Sequence, residues 1–520
     1  MSTPQSIINV CSGVRLNNSY DHTIWFGSLS GQIAWFKGKT ARTFTAYTYL
    51  RKSWPVKVHA TMSEAIGWTY LFFTNGGKTF FYFITNIEYV NDNTVELSLE
   101  MDVMQTYMFD YSLLQCFVER EHIALDAIGA NIVDEGLDVG EYVSISDEGV
   151  DLNDWLVLIL ATGNPQANAE GDGEITVELG KSYANVFSGL RVYACSDVNK
   201  LHSVLDGLDQ NGKSDMIVSM WMYPRELITG ASGASSSVVE IADATSFTKS
   251  VTRNTVLESA YAPRNNKLLC YPYNFLYVTN NYGAAAAYPY EFFGNPDEPV
   301  FKVVGTASPD ATVRMYPLNY KGSQHNFESG QTLGSFPSCA WDSDVYKMWL
   351  AQNHNQLQFA GATSLIKAAV GVGSALFGNV SGGLSTAADG AAGIFSLMAQ
   401  KADKSIQPEE AKGNYSATVN MAAGFQTFTI KKKCITRKQA ILLDDFFDMY
   451  GYKQLSVKVP NRNVRENWTY TKTRGCKIAG NLCTEDQIKI EAIYDKGVTF
   501  WKSGDNIGDY SLSNGCTGGA

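Results

Sequence analysis

Trp68-Thr-Tyr-Leu-Phe-Phe-Thr-Asn-Gly-Gly77 decides the fold class of this chain. Aromatic and polar positions alternate along it, and Asn75-Gly-Gly separates two such aromatic runs, which is the signature of an antiparallel hairpin. The pattern extends in both directions. His22-Thr-Ile-Trp-Phe-Gly and Phe44-Thr-Ala-Tyr-Thr-Tyr precede it, and Thr94-Val-Glu-Leu-Ser-Leu-Glu follows an Asn91-Asp-Asn turn and leads through Met101-Asp-Val-Met-Gln-Thr-Tyr into Cys116-Phe-Val-Glu-Arg-Glu-His122. The first 120 residues are therefore expected to form a β-barrel or sandwich. The whole chain is read as a β-rich α+β, multidomain protein.

Further along, Trp155-Leu-Val-Leu-Ile-Leu reads as a buried strand, Val198 to Leu208 as an amphipathic helix, and Asp215 to Pro224 as a strand stopped by proline. Gly230-Ala-Ser-Gly-Ala-Ser-Ser-Ser reads as a flexible loop, and Tyr271 to Phe293 as strands and turns. Thr427-Phe-Thr-Ile-Lys-Lys is strand-like. Thr436 with Gln439, and Thr484 with Gln487, are each expected to form a capping box, the first opening a helix that stops at Gly451. The expected divisions are an N-terminal β-barrel over 1–120, a mixed α+β middle over 121–300, a β-rich segment over 301–356, a separate apolar loop over 357–413 and a C-terminal α/β segment over 414–520.

That loop contains the chain's least typical sequence. Phe359 to Gln400 is rich in Gly and Ala, and its only charges are Lys367 and Asp389. No ionisable side chain lies between Ala368 and Ala388, and about 20 such residues in a helix would just cross a hydrocarbon core about 30 Å thick. Five glycines, Gly371, Gly373, Gly378, Gly382 and Gly383, weaken any helix there by roughly 1 kcal/mol each relative to Ala. A constitutive anchor is therefore not expected. The two readings are a membrane-active segment shielded in one state and exposed in another, and a helical hairpin buried in a core.

Composition narrows the function. The chain has 520 residues, too many for one ordinary core. Its 52 Asp and Glu against 41 Lys and Arg give a formal charge of −11, which argues against a surface that grips nucleic acid through its phosphates. Nine cysteines are scattered without C-x-x-C pairs, so neither a disulfide framework nor a zinc site is expected, and a reducing compartment fits. Met1 to Val10 lacks the basic and apolar regions of a secretory signal.

Catalytic motifs fare poorly. Gly207-Leu-Asp-Gln-Asn-Gly212-Lys213-Ser214 matches the phosphate-loop pattern G-x-x-x-x-G-K-S. A phosphate loop leaves a strand and opens a helix, whereas here a helical pattern precedes the glycines and a strand pattern follows. The six histidines form neither H-E-x-x-H nor any other metal or triad spacing. Asp444, Asp445 and Asp448 read as a solvated helix face or a lumen lining, Glu119, Arg120 and Glu121 as structural ion pairs, and Cys476 with Cys483 as an inert buried pair across a turn. No catalytic residue, cofactor or metal is expected.

Several segments together resemble the distal tail-knob (major tail) protein of phi29-like short-tailed bacteriophages. They are Leu97-Ser-Leu-Glu-Met-Asp-Val-Met-Gln-Thr-Tyr107, Phe117-Val-Glu-Arg-Glu-His122, Asn211-Gly-Lys-Ser-Asp-Met-Ile-Val218, Val459-Pro-Asn-Arg-Asn-Val-Arg-Glu-Asn-Trp-Thr-Tyr-Thr-Lys-Thr473 and Asp495-Lys-Gly-Val-Thr-Phe-Trp501. The resemblance spans almost the whole chain. It implies β-barrel tube domains assembled as a homo-hexameric tube at the distal end of the virion tail, put together in the host cytoplasm. Expected partners are the lower collar or proximal tail tube, a tail-tip protein, double-stranded DNA passing through the lumen without sequence-specific binding, and the host cytoplasmic membrane during ejection. It further implies that the 357–413 segment is a plug and pore loop that enters the membrane. Its apolar payload would be Phe359, Leu365, Ile366, Val370, Val372, Leu376, Phe377, Val380, Leu384, Ile394, Phe395 and Leu397. The alternatives are a soluble pore-forming toxin and a tail-associated receptor-binding or cell-wall-degrading protein, the last requiring a carboxylate or metal site.

Overall fold

The structure is a computed structural model that describes residues 6–47, 54–150, 152, 154–171, 182–183, 186–187, 189–280, 284–307, 312–321, 330–333, 338–339 and 428–517. The chain divides into two compact units that interleave in sequence. Unit 1 comprises Met1–Gly140, Ser259–Cys270 and Thr436–Ala520, and unit 2 comprises Glu141–Glu258 and Tyr271–Ile435.

Unit 1 is built on seven strands of its N-terminal part: β1 (Ser6–Ser12), β2 (His22–Ile24), β3 (Thr40–Tyr47), β4 (Val56–Val58), β5 (Trp68–Asn75), β6 (Lys78–Asn91) and β7 (Thr94–Met101). Six of them form an antiparallel sheet in the order β3-β1-β5-β6-β7-β4. The hairpin expected at Asn75 is β5–β6, with Asn75 opposite Lys78. Gly76 and Gly77 sit at φ 57° and 83°, the positive values that a two-residue primed turn demands and that glycine alone adopts without a Cβ penalty. Both faces of this hairpin are covered, so the aromatic alternation marks two packed faces. Tyr70 and Phe72 share one face with Phe81 and Phe83, and the Phe36 ring from the helix Leu29–Gly38 stacks on Tyr70 at 5.0 Å. Phe73 meets Phe80 and Tyr82 on the other face, both at 5.5 Å. Each such ring contributes roughly 1.5–3 kcal/mol through burial, with a further increment from ring–ring contact.

A second sheet of unit 1 joins distant parts of the chain. Its order is β2, Val498–Trp501, Trp468–Arg474, β9 (Cys116–Glu121) and Tyr452–Lys458. The short β8 (Tyr111–Leu113) pairs with Ile478–Gly480. The helix Arg437–Tyr450 opens on Thr436, whose hydroxyl accepts from Gln439 N. Only half of the expected capping box forms, because the Gln439 amide donates instead to Asp138 O. The helix Thr484–Lys496 starts one residue earlier than the Thr484/Gln487 pattern implied. Cys483 takes the cap position, and its thiol points to Asp486 Oδ2.

In unit 2 the run Trp155–Ala161 is the centre of a five-stranded sheet, between Arg191–Cys195 and Ile217–Pro224. It is apolar without alternation because both of its faces are packed: Val157 and Ile159 meet Leu201, Val204, Leu205 and Leu208 of the helix Val198–Gln210, while Leu156 and Leu158 join a second core with Leu276, Val278, Phe301 and Val303. Two short two-stranded pairings and two four-stranded antiparallel sheets are also part of the unit. One runs Tyr142–Gly149, Thr429–Ile435, Asn274–Thr279 and Ala285–Tyr288; the other runs Ser246–Ser250, Val300–Gly305, Val313–Pro317 and Gln331–Leu333. The protein is β-rich with few helices, as the sequence led us to expect.

Candidate functional site

Phe359, Leu365, Ile366, Val370, Val372, Leu376, Phe377, Val380, Leu384, Ile394, Phe395 and Leu397, the expected apolar payload, all lie outside the described residues. Among the described residues no helix is long and apolar enough to cross a membrane, and no group of His, Cys, Asp and Glu is placed to hold a metal ion.

The densest polar chemistry that is described lies in unit 1, where the helix Arg437–Tyr450 grips the inserted segment Ser259–Cys270. Asp444 is completely buried, which overturns the solvated reading for that residue, while Asp445 is exposed. Its Oδ2 accepts from Tyr261 Oη at 2.7 Å and Arg264 N at 3.0 Å. Its Oδ1 accepts from Asn265 N and Asn265 Nδ2, both at 3.0 Å. One helical turn on, Asp448 accepts from Asn265 Nδ2 at 2.8 Å and pairs with Arg264 Nε at 2.8 Å, while Arg264 Nη2 reaches Asp445 at 2.5 Å. The i, i+1, i+4 spacing puts the three carboxylates where one short loop can meet them all.

The rest of the inserted segment is held from the other side. Asp126 accepts from Asn266 N and Tyr452 Oη, each at 2.9 Å. Glu135 receives Lys267 and Arg120 together with Lys453 N. Burial pushes the Asp126 and Asp448 carboxyls upward and the Lys267 ammonium downward, as expected where charge loses its water. These donors and acceptors are committed to one another, so the arrangement fastens chain segments together. Sequence reasoning missed Asp126, Glu135, Tyr261, Asn265 and Lys267. No local signal could have found them, because apart from Arg120, fifteen residues before Glu135, these partners are more than a hundred residues away.

The Glu119-Arg120-Glu121 reading as structural ion pairs holds. Glu119 meets Lys472 at 3.1 Å and Arg474 at 2.7 Å, Arg120 meets Glu135, and Glu121 meets Lys458 at 2.5 Å. Next to them, His122 is buried with Nδ1 accepting from Tyr470 N at 2.7 Å and Nε2 at 3.0 Å from Asp448 O. Burial, reinforced by Arg465, drives its pKa down to about 3, so the ring stays neutral. The phosphate-loop lookalike begins inside the last turn of the helix Val198–Gln210 and precedes the strand Ile217–Pro224, and Lys213 Nζ donates to Asn168 Oδ1. Cys476 and Cys483 do not form the expected buried pair: Cys476 is buried, Cys483 is exposed, and the thiol facing Cys476 is Cys116.

Residues 4–112 match the family model for the N-terminus of caudoviral major tail proteins. Residues 240–515, more than half of the chain, match the model for the C-terminal domain of the tail knob protein gp9 of Bacillus phage phi29. The chain belongs to the phi29-like tail knob protein family. Tail knob proteins gp9 of Bacillus phage B103 and Bacillus phage phi29 are 26% and 25% identical to it, each alignment covering 98% of both chains. The tail knob protein gp12 of bacteriophage C1 has the same fold, with a TM-score of 0.68 at 14% identity over 98% of this chain and all of that one. The matched proteins are structural parts of phage tails and not enzymes. As a tail knob family member, this chain is a structural tail component of a short-tailed phage virion.

Proposed function

We propose that this tail knob protein assembles as a homo-hexameric tube of β-barrel domains that conducts the genome, and that its 357–413 segment is a plug released into the host cytoplasmic membrane during ejection. The observation that carries the reading is the uncharged Ala368 to Ala388 run inside an acidic tail knob chain. One copy has too many glycines to span a bilayer alone. Six copies together satisfy their backbone polar groups against one another, which the hydrocarbon core requires. Shielding inside a closed tube also explains how a particle in water carries this apolar surface without aggregating. The net charge of −11 gives the DNA phosphates little to bind during passage. In this reading the tube connects to the lower collar or proximal tail tube on one side and to a tail-tip protein on the other.

The test is dye release from anionic liposomes by the purified oligomer between pH 4 and 7.5, beside a variant lacking residues 359–400. Leakage by the intact assembly alone is the expected result. Silence from both, with assembly intact, overturns the membrane role of the segment.

A further inference from the structure

Cys116 opens β9, and Cys476 follows the strand Trp468–Arg474 with which β9 pairs. Arg474 stands opposite Phe117 and Ile478 opposite Leu113, and between these pairs Leu114 N donates to Lys477 O. The two cysteines therefore sit one position out of register on neighbouring chains, which sets their Cα atoms about 6 Å apart. A disulfide spans Cα separations of about 4.4–6.8 Å. In an unbroken ladder that offset would send the two side chains to opposite faces. Gly475, at φ 65°, breaks the ladder: the N–H groups of Gly475 and Cys476 donate to Asp495 Oδ2 and Oδ1, each at 3.0 Å, instead of to β9. The turn brings the Cys476 thiol to face that of Cys116.

Both thiols are free and buried, Cys116 at 6% and Cys476 at 1% exposure. Burial pushes the Cys476 thiol up to about 12 and the Cys116 thiol upward as well, so both are protonated in neutral water and react slowly. The pair stays reduced wherever a glutathione pool holds thiols in that state. A tail component of a released virion has left any such pool behind, and particle surfaces outside cells are among the places where disulfides form and persist.

We propose that Cys116 and Cys476 are an oxidative modification site, joined by a disulfide in the released particle with hydrogen peroxide of the aerobic medium as the oxidant. The Cys116 sulfur, the more exposed of the two, gives up its proton and attacks one peroxide oxygen; the O–O bond breaks, hydroxide leaves and takes up that proton as water, and Cys116 becomes a sulfenic acid. The Cys476 sulfur then displaces the hydroxyl group, which leaves as a second water with the Cys476 proton. Two thiols are oxidised by two electrons and one peroxide is reduced to two waters. All of unit 2 lies between the joined positions, so the bond closes a long loop, the case in which a cross-link constrains the unfolded chain most. The bond fastens the start of β9 to the turn after its partner strand, and it stands whether or not the 357–413 segment enters a membrane.

The experiment exposes the purified full-length protein to hydrogen peroxide, unfolds it in iodoacetamide and maps its peptides by mass spectrometry without reductant. A peptide pair joined at 116–476 is expected, reversed by dithiothreitol, with a melting temperature roughly 5–15 °C above that of the reduced protein. Cys476→Ser should abolish both the cross-link and the shift, whereas Cys483→Ser, at an exposed thiol, should leave both. The unsubstituted protein decides the question even where the Cys476 variant fails to fold. Full alkylation of Cys116 and Cys476 after an exposure that oxidises Cys483, or sulfinic acid at Cys116 without the cross-link, overturns the proposal. Virions mapped fresh and again after storage in aerated medium should gain the cross-link, and two free thiols in the stored virions overturn its formation in the particle.

Discussion

Replacing Asp444 by Asn changes one atom of a buried side chain and should loosen unit 1 severely. Asp444 is an acceptor on both oxygens, and both oxygens face donors: Tyr261 Oη and Arg264 N on one, Asn265 N and Asn265 Nδ2 on the other. Whichever way the new amide turns, its NH2 confronts a backbone N–H that cannot reverse. If the NH2 takes the Oδ2 position, the Tyr261 hydroxyl can rotate to accept but Arg264 N cannot. If it takes Oδ1, Asn265 N loses its partner, and the Asn265 side chain must flip away from Asp448 to compensate. Two hydrogen bonds to a charged acceptor and one stranded buried donor together amount to about 3–5 kcal/mol. For a domain of this size that lowers the melting temperature by roughly 10 °C. Scanning calorimetry measures the shift, and hydrogen exchange localises it: the amides of Arg264, Asn265 and Asn266 should lose protection first. Asp445→Asn is the control, since its Arg264 partner and Asp445 are each 52% exposed, and exposed pairs contribute at most about 1 kcal/mol. A melting temperature for Asp444→Asn within 2 °C of the parent, with protection of those amides retained, would refute the reasoning.

Two further outcomes follow from unit 1. The Asp102 carboxyl is buried with Tyr70 Oη at 2.8 Å and Gln105 N at 3.1 Å, and burial raises its pKa from 3.8 to about 6. The folded state therefore holds this proton more tightly than the unfolded chain, so its contribution is complete below pH 4 and fades between pH 4 and 6, by roughly 3 kcal/mol. Asp102→Asn keeps an N-cap acceptor and should flatten that slope in melting temperature against pH; an unchanged slope counts against the assignment. Gly451 closes the helix Arg437–Tyr450 at φ 65°, ψ −153°, a region essentially reserved for glycine, and a Cβ there would overlap the Glu121 carbonyl. Gly451→Ala should cost more than about 3 kcal/mol, measured by denaturant midpoint, and a variant of parental stability would show that β9 can move aside.

Period and turn chemistry are local properties, so the sequence by itself determined the β5–β6 hairpin, the doubly buried strand Trp155–Ala161, the helix Val198–Gln210 and the failure of the Gly207–Ser214 phosphate-loop pattern. Each depends on residues within a few positions of one another, where side-chain alternation and backbone preference act directly. The family was legible too, in segments scattered from Leu97 to Trp501. Only the tertiary structure decided that Ser259–Cys270 leaves unit 2 to dock in unit 1, that Asp444 is buried while Asp445 is exposed, and that Cys116 faces Cys476. Burial and pairing across hundreds of residues carry no periodic mark along the chain: an aspartate on a helix reads as solvated until a distant loop brings the donors that make its burial favourable.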